Sequence, residues 1–586
     1  MELQRVIQYS DLFPEEGNNL PDVQSFIRGL RREDLCTITA NMMARIAGKP
    51  FFDVALDPRR GEFDMLRFFL SDKDSDFTQD IINRYTAAVQ SLPTDYHGGF
   101  IATSKSAVLS FLRLIFSLKP EKNQVLSAQI EKDYLKALLL VNQEVYSASY
   151  DENKHSTEPD DLRLAHLLLA YSYANEDVES SNLNDIFRRQ LIKSFSLFEF
   201  LFKSKESRIK VLRGRFLAHF HIGSWVEYLI PHIMTVYFLK RDSGLLSLKG
   251  SGKYGKKARR VIERSCIEKD ATIPIVDNPD YSVFRANPYI RMNKHHYAII
   301  SQSFVVEHMF NSVYFILKSF RRDAGFLSDD EFRRYYTTEF SQKYMFEGFV
   351  KQCLPSNIEN AVAGSMCDTI LQKARKNGQR IDGMSPPDYY MRLPEGCVIM
   401  EYKDALTGAK VKESRDAERL FADIKEKFFE NDRGKHKGIA QILDSIESIQ
   451  KGTFFFDSPP RTTIVYPVLV VDNPVYTMRG MRTVLEHLMR EECLKRGLRS
   501  DLVRPLILMD VATLKLYSDY FNSNGLVSTF EAYYRHVSLN GRVVQKDIFE
   551  SLVSFSEYMQ DKDHGNMHNV FDRILHEAKP ILEKYK

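Results

Sequence analysis

Pro386-Pro387-Asp388-Tyr389-Tyr390-Met391 and Cys397-Val398-Ile399-Met400-Glu401-Tyr402-Lys403 decide how the rest of the chain is read. Tyr389 to Met391 and Cys397 to Met400 have strand character. Pro394-Glu395-Gly396 between them supplies a turn, so an antiparallel hairpin is expected. Side chains alternate along a strand, which puts Ile399, Glu401 and Lys403 on one face and Met400 and Tyr402 on the other. The second strand is apolar until it presents a carboxylate and an amine together, an arrangement that costs free energy unless something uses it. Asp388, thirteen positions before Glu401, can stand at the matching end of the neighbouring strand. Two carboxylates and one lysine then converge.

That set suits a hard divalent cation. Mg²⁺ takes oxygen ligands, keeps several waters and is commonly held by one or two carboxylates plus substrate phosphate. A lysine beside it can orient or deprotonate an attacking water. The chemistry to expect is metal-assisted phosphodiester hydrolysis.

Pro387-Asp388 followed by Glu401-Tyr402-Lys403 resembles the signature of the PD-(D/E)xK nucleases, the restriction-endonuclease-like superfamily. Glu-x-Lys alone has no weight, because both residues are common. The upstream Pro-Asp, the apolar strand leading into Glu401 and the order of the flanking helices give it weight. In the family a helix before the core often carries a further metal-site glutamate, and Phe346-Glu347-Gly348-Phe349-Val350 resembles it. A helix after the core often carries a polar residue, and Gly438-Ile439-Ala440-Gln441-Ile442 resembles that. The resemblance covers Ser328 to Leu516. It implies an α/β restriction-endonuclease-like core, a mixed sheet flanked by helices, in which Asp388, Glu401 and the Tyr402 carbonyl ligate Mg²⁺ (or Mn²⁺ as a substitute). It also implies that Glu347 supports the metal and that Lys403 positions water, with Gln441 facing the site. Nucleic acid is the implied partner, duplex DNA ahead of RNA, and host defence or mobile-element biology is the setting such proteins suggest by analogy. The alternative is a non-catalytic scaffold of nuclease-like fold that binds nucleic acid or protein without cutting.

At 586 residues the chain exceeds what one core organises. A mainly α-helical recognition or regulatory region over 1–325, of one or two subdomains, is expected ahead of the α/β domain over 326–586 with its helical C-terminus. Lys+Arg 81 against Asp+Glu 78 gives a net charge of only +3, so any nucleic-acid surface has to be local. Six cysteines without a C-x-x-C pair exclude a zinc ribbon and suit a reducing compartment, so a cytoplasmic protein is expected. Met1-Glu2-Leu3-Gln4 shows no leader pattern, and the most membrane-like stretch, Phe216 to Leu239, contains His219, His221, Glu227, Pro231 and His232. It reads as a buried or half-buried helix pair, with no membrane role. A homodimer, or a partner protein bound through the helical region, is also expected, since one active site per chain cutting two strands favours a dimer.

Helical apolar spacing recurs over Val23 to Leu30, Leu35 to Ile46, Ser104 to Leu118, Glu131 to Tyr146, Asp161 to Tyr173 and Asp185 to Phe202. Ser147 to Pro159 and Asn175 to Asn184 read as polar loops. The one locally basic stretch runs from Lys249 to Arg264, with Lys249, Lys253, Lys256, Lys257, Arg259 and Arg260 as candidate phosphate contacts. Gly250 to Lys256 matches most of a P-loop formally, but Lys257 stands where Ser or Thr has to be. A solvated flexible loop is the bland account of the same stretch. His295-His296 reads as part of a helix-prone region leading into Val305 to Phe320, where adjacent histidines face apart and chelate poorly.

Arg321 to Gly325 reads as a boundary, and Ser328-Asp329-Asp330-Glu331 as a capping box opening a helix to about Leu354. Val411 to Glu430 is charged and helix-prone and reads as an insertion or a solvated arm. Lys435 and Lys437, just before the Gln441 helix, are further candidates for phosphate contact. Thr463 to Val471 and Leu506 to Val511 are apolar runs that suit strands covered on both faces, with a helix from Arg482 to Lys495 between them. Asp510 is then expected to open a helix through Tyr520, with helix continuing to Lys586.

Overall fold

A computed structural model describes residues 5–16, 19–47, 75–91, 100–101, 103–120, 130–145, 150–179, 183–238, 243–248, 253–377, 386–538 and 545–562. Most of the first half is helical. Arg32–Ala47, Lys105–Ser117 and Ile130–Val145 pack into one apolar core. The short parallel strands β1 (Arg5–Val6) and β2 (Phe100–Ile101) lie in the same half. Two further helices, α1 (Asp160–Ser172) and α2 (Leu183–Lys203), leave that core and lie on the central sheet described below. The predicted helices are present to within a few residues, because each has an apolar face that only a 3.6-residue period produces. The stretch from Asn175 contains one helical turn, Glu176–Glu179, where a loop is expected.

Three readings of the first half are corrected. Lys253–Glu263 is a helix packed on the helix Val226–Phe238, not a flexible loop. His296 opens a strand, not a helix. β3 (Leu245–Ser247), β4 (Cys266–Glu268), β5 (Tyr289–Arg291) and β6 (His296–Ile299) form a four-stranded sheet in the order β3-β6-β5-β4. Asn293 Oδ1 accepts the backbone N–H of His295 and of His296, both at 3.1 Å, so an Asx turn reverses the chain between β5 and β6. The stretch Val305 to Phe320 is likewise two helices, Gln302–His308 and Asn311–Ser319. Ser207–Phe220 and Val226–Phe238 are the expected helix pair, and no described helix is long and apolar enough to cross a membrane.

The second half is an α/β unit. β7 (Asn360–Ala363), β8 (Tyr389–Leu393) and β9 (Gly396–Lys403) form an antiparallel meander. β10 (Val465–Val471) pairs parallel to β9, and β11 (Ile507–Asp510) parallel to β10, giving the order β11-β10-β9-β8-β7. The parallel steps need crossovers, supplied by helices. α3 (Gly364–Lys376) follows β7, while α4 (Ala417–Phe428) and α5 (Ile439–Lys451) connect β9 to β10. α6 (Met481–Lys495) connects β10 to β11, and α7 (Val511–Leu516) follows, opened by Asp510, whose Oδ1 accepts the Ala512 N–H at 2.8 Å. Ala417, Leu420, Ile424 and Phe428 of α4 are buried in the core, so this stretch is not a solvated arm. Its charges occupy only the outer face.

The helix opened by Ser328 runs through α-helical Asp329–Tyr335, π-helical Tyr336–Phe346 and α-helical Glu347–Gln352. Met400, Tyr402 and Val470 face this helix and α2, while Ile399, Leu469 and Val471 face α1, α4, α5 and α6. The sheet is therefore covered on both sides, and helices from the first 325 residues contribute to both covers. All six cysteines are free thiols.

Candidate active site

Local pairing builds the site. The β8–β9 hairpin sets Tyr389 opposite Met400, and continuing that register by one residue sets Asp388 opposite Glu401. The Tyr402 N–H donates to Asp388 Oδ2 at 2.8 Å, and Gln342 Nε2 donates to Asp388 Oδ1 at 2.5 Å. Two charge-assisted bonds thus fix the Asp388 carboxylate at the strand end. Gly364 lets β7 approach it. Its N–H bonds the Asp388 carbonyl at 2.8 Å, and a Cβ there would meet that carbonyl oxygen at 3.0 Å.

Glu401 is 1% exposed. Its Oε2 accepts from Lys403 Nζ at 3.1 Å, and its Oε1 is buried without a hydrogen-bond donor. Burial, and then the neighbouring Asp388 carboxylate, push the Glu401 carboxyl well above the ordinary value, and Lys403 offsets only part of this. Burial lowers the Lys403 ammonium, but Glu401 and Asp388 outweigh it, so its pKa is raised.

Lys403 Nζ also donates to Gln441 Oε1 at 2.8 Å. The same oxygen accepts the Gly438 N–H at 2.9 Å. Gly438 has φ +46°, and a Cβ there would come within 2.8 Å of the Phe428 carbonyl oxygen. The tight entry into α5 that aims Gln441 at Lys403 therefore requires glycine.

Asp388, Glu401, Lys403 and Gln441 thus come together, while Glu347 does not join them by any contact among the described residues. It is buried, and its carboxylate accepts from the Ser365 N–H at 2.9 Å and the Ser365 hydroxyl at 2.7 Å, at the start of α3. Gln342 is the residue of that helix that reaches Asp388. Sequence reasoning missed it because Gln342 and Glu347 would be about 140° apart on an α-helix, at 3.6 residues per turn. On a π-helix, with its i→i+5 pattern, five residues make roughly one turn.

Of the basic candidates, Lys249 lies outside the described residues and Lys253 is described only as backbone. Lys256 and Arg260 are exposed, whereas Lys257 Nζ pairs with Glu227 at 2.6 Å and Arg259 lies 3.7 Å from Glu263. This helix packs on the first half of the molecule, not on the hairpin. Lys435 is exposed and Lys437 half-buried, in the turn that leads into α5.

The opposite face of the same strand ends holds a second polar group. Lys193 Nζ of α2 donates to the Asp472 carbonyl at 2.9 Å and to Asp472 Oδ1 at 3.1 Å. Asp404 Oδ2 accepts from the Ser341 hydroxyl at 3.0 Å. Burial and the neighbouring Asp472 raise the Asp404 carboxyl to about 6. No protein-family description, curated protein or solved structure matches this chain.

Proposed function

We propose that this chain is a divalent-cation-dependent nuclease of PD-(D/E)xK type that hydrolyses nucleic-acid phosphodiesters, with duplex DNA the expected substrate class. The observation that carries the reading is Glu401 Oε1, a buried carboxylate oxygen with no donor, beside a second carboxylate and a lysine. Two buried carboxyls side by side hold a proton in the metal-free chain, as the raised Glu401 pKa records, and a cation can take that proton's place. The donor set fits Mg²⁺ or Mn²⁺, which take carboxylate oxygens and keep open water positions. The mixed sheet supports the same fold, with one flanking helix delivering Gln342 to Asp388 and another delivering Gln441 to Lys403.

A bound divalent ion supplies Lewis-acid activation of water and neutralises phosphate charge. Asp388, held by Tyr402 N–H and Gln342, and Glu401 would hold it. Gln441 keeps the Lys403 ammonium at the mouth of the pair. As an ammonium Lys403 would donate to and orient an attacking water; only its neutral amine, after losing a proton to solvent, could take one from it. Glu347 holds the start of α3 through Ser365.

The test is incubation of the purified full chain with plasmid, linear DNA and RNA, each with Mg²⁺, Mn²⁺ or chelator. Cleavage that needs the cation and disappears in Asp388→Ala and Glu401→Ala is expected, and cleavage unaffected by either substitution would sink the assignment. A second reading, a non-catalytic binder, is favoured by the closed Lys403–Glu401 ion pair, which satisfies Lys403 without a metal. Calorimetry with Mn²⁺ separates the two when wild type is compared with Asp388→Asn·Glu401→Gln, since a scaffold loses no site on that substitution. For nucleic-acid binding, Lys256 and Arg260 are the exposed cations among the described side chains of the basic helix. Replacing both by Gln should lower the log–log salt slope by roughly 0.9 per lost duplex contact.

A further inference from the structure

We propose that His155, Glu158 and His166 form a second metal site, of the Zn²⁺ class, that fastens the chain entering α1 onto α1 where it packs against α4. The three residues offer ligand atoms that all lie within 4.8 Å of one another. His155 Nδ1 is 3.0 Å from Glu158 Oε1, and His166 Nδ1 is 2.8 Å from Glu158 Oε2. Ligands of a tetrahedral zinc at about 2.0 Å stand roughly 3.3 Å apart, so a set lying within 4.8 Å has to contract around the ion. Two imidazoles and a carboxylate suit zinc, whereas Mg²⁺ takes oxygen alone.

The surroundings hold this set in place. The Glu158 N–H bonds the His155 carbonyl at 3.1 Å, and Asp151 Oδ1 accepts the Asn153 N–H at 3.1 Å to begin the 3₁₀ turn Glu152–His155. Tyr150 stacks on the His155 ring at 5.4 Å. Phe421 of α4 packs against both histidines, 5.9 Å from His155 and 4.6 Å from His166. The two imidazoles are themselves 4.4 Å apart. His166 is buried, and burial lowers its pKa, which keeps it in the neutral form that a metal needs.

His155 supplies the most specific observation. Its Nε2 is buried without a hydrogen-bond partner, and Glu418 Oε1 of α4 lies 3.9 Å away. While no metal is bound, Nδ1 carries the proton and donates it to Glu158. Ligation through Nδ1 moves the ring proton to Nε2, and Glu418, 3.9 Å away, would accept it after closing by about 1 Å. A carboxylate behind a ligating histidine fixes its tautomer and orientation. The arrangement therefore has a ligand layer from the α1 region and a supporting carboxylate from α4, which no simple pair of His–Glu hydrogen bonds requires.

The experiment titrates chelator-treated full chain with Co²⁺, read in the visible, and with Zn²⁺ by competition. It compares wild type, Asp388→Asn·Glu401→Gln and His155→Ala·His166→Ala. One equivalent of Co²⁺ with tetrahedral bands is expected in wild type and in the carboxylate double variant, and none in the histidine double variant. Zn²⁺ should raise the melting temperature of the first two only. Absence of the bands in wild type, or their survival without the histidines, overturns the proposal. If the histidine variant does not fold, Glu158→Gln decides. Its Zn²⁺ affinity should fall at least about tenfold, and an unchanged affinity also overturns the site.

Discussion

The two faces of one sheet edge carry nearly the same charges and differ in what surrounds them. On the α5 face, Asp388 and Glu401 meet Lys403, whose side chain is 19% exposed and which bonds a glutamine and a glutamate two residues away. On the α2 face, Asp404 and Asp472 meet Lys193, which is 1% exposed, spans to a backbone carbonyl as well as a carboxylate, and lies 4.8 Å over the Phe310 ring. A lysine sealed under a helix with every contact fixed is a staple. A partly exposed lysine beside an unpaired carboxylate oxygen can change partners. Charge composition alone therefore does not mark a reactive site. Access and an unmet hydrogen bond do.

The sharpest test of that contrast exchanges the losses. Lys403→Ala should lower single-turnover cleavage by about a thousandfold or more, roughly 4 kcal/mol of barrier. Its melt should move little, because Glu401 can protonate when its partner leaves. Lys193→Met should do the reverse. It removes the counter-charge of a buried carboxylate and should cost about 3 kcal/mol of stability, at the low end for broken buried pairs because the aspartates can take up a proton. Cleavage per folded molecule should stay near wild type. Matched denaturant melts and single-turnover rates decide, and a Lys193 variant that folds normally but cannot cut would erase the distinction between the faces.

The hairpin was legible because strand pairing over a two-residue turn is local, and the short apolar run into Glu401 is bounded by turn residues. α1 and α2 were legible as helices, but their place on the central sheet was not. Lys193 and Asp472 are 279 residues apart, and nothing in either neighbourhood announces the other. α4 was misread because its charges are conspicuous, although the apolar residues at 417, 420, 424 and 428 keep a helical spacing. Strands of three or four residues such as β4 and β5 are too short for periodicity to register. Gln342 was hidden by the π-helix, whose pitch no local composition gives away. His155, Glu158 and His166 lie in and just beyond a stretch that reads only as a polar loop.

Titration offers a finer probe of the sealed face. The Asp404 carboxyl titrates at about 6 in the folded chain, against roughly 4 for an unfolded aspartate. Between those values the native state binds more protons than the unfolded one. Its contribution to stability is therefore complete below about pH 4 and is lost as pH rises through 6. Asp404→Asn should flatten that part of the stability–pH curve. Lys193→Met should move its midpoint upward, because Lys193 is one of the charges holding Asp404 down. An Asp404→Asn curve that superimposes on wild type would place the proton elsewhere in the Asp404–Asp472 pair.

The smallest expected effect tests how tightly that face is closed. Tyr336 is 8% exposed, and its hydroxyl is buried without a hydrogen-bond partner. Burial, then Asp404 and Asp472, raise its pKa well above the ordinary phenol value, which places the hydroxyl near both carboxylates. A buried hydroxyl without a partner costs more than the hydrogen that replaces it, so Tyr336→Phe should be neutral or stabilising by up to about 1 kcal/mol. Ser341→Ala is its control. It removes a hydroxyl that does donate to Asp404 Oδ2, and should destabilise by roughly 1 kcal/mol. Both substitutions lie away from Asp388 and Glu401 and should leave cleavage unchanged. Urea melts of the two variants at pH 7 give opposite signs if the face is closed and its contacts fixed. If Tyr336→Phe loses stability as Ser341→Ala does, the tyrosine has a partner in solution. The contacts of the Asp404–Asp472 face would then not be fixed.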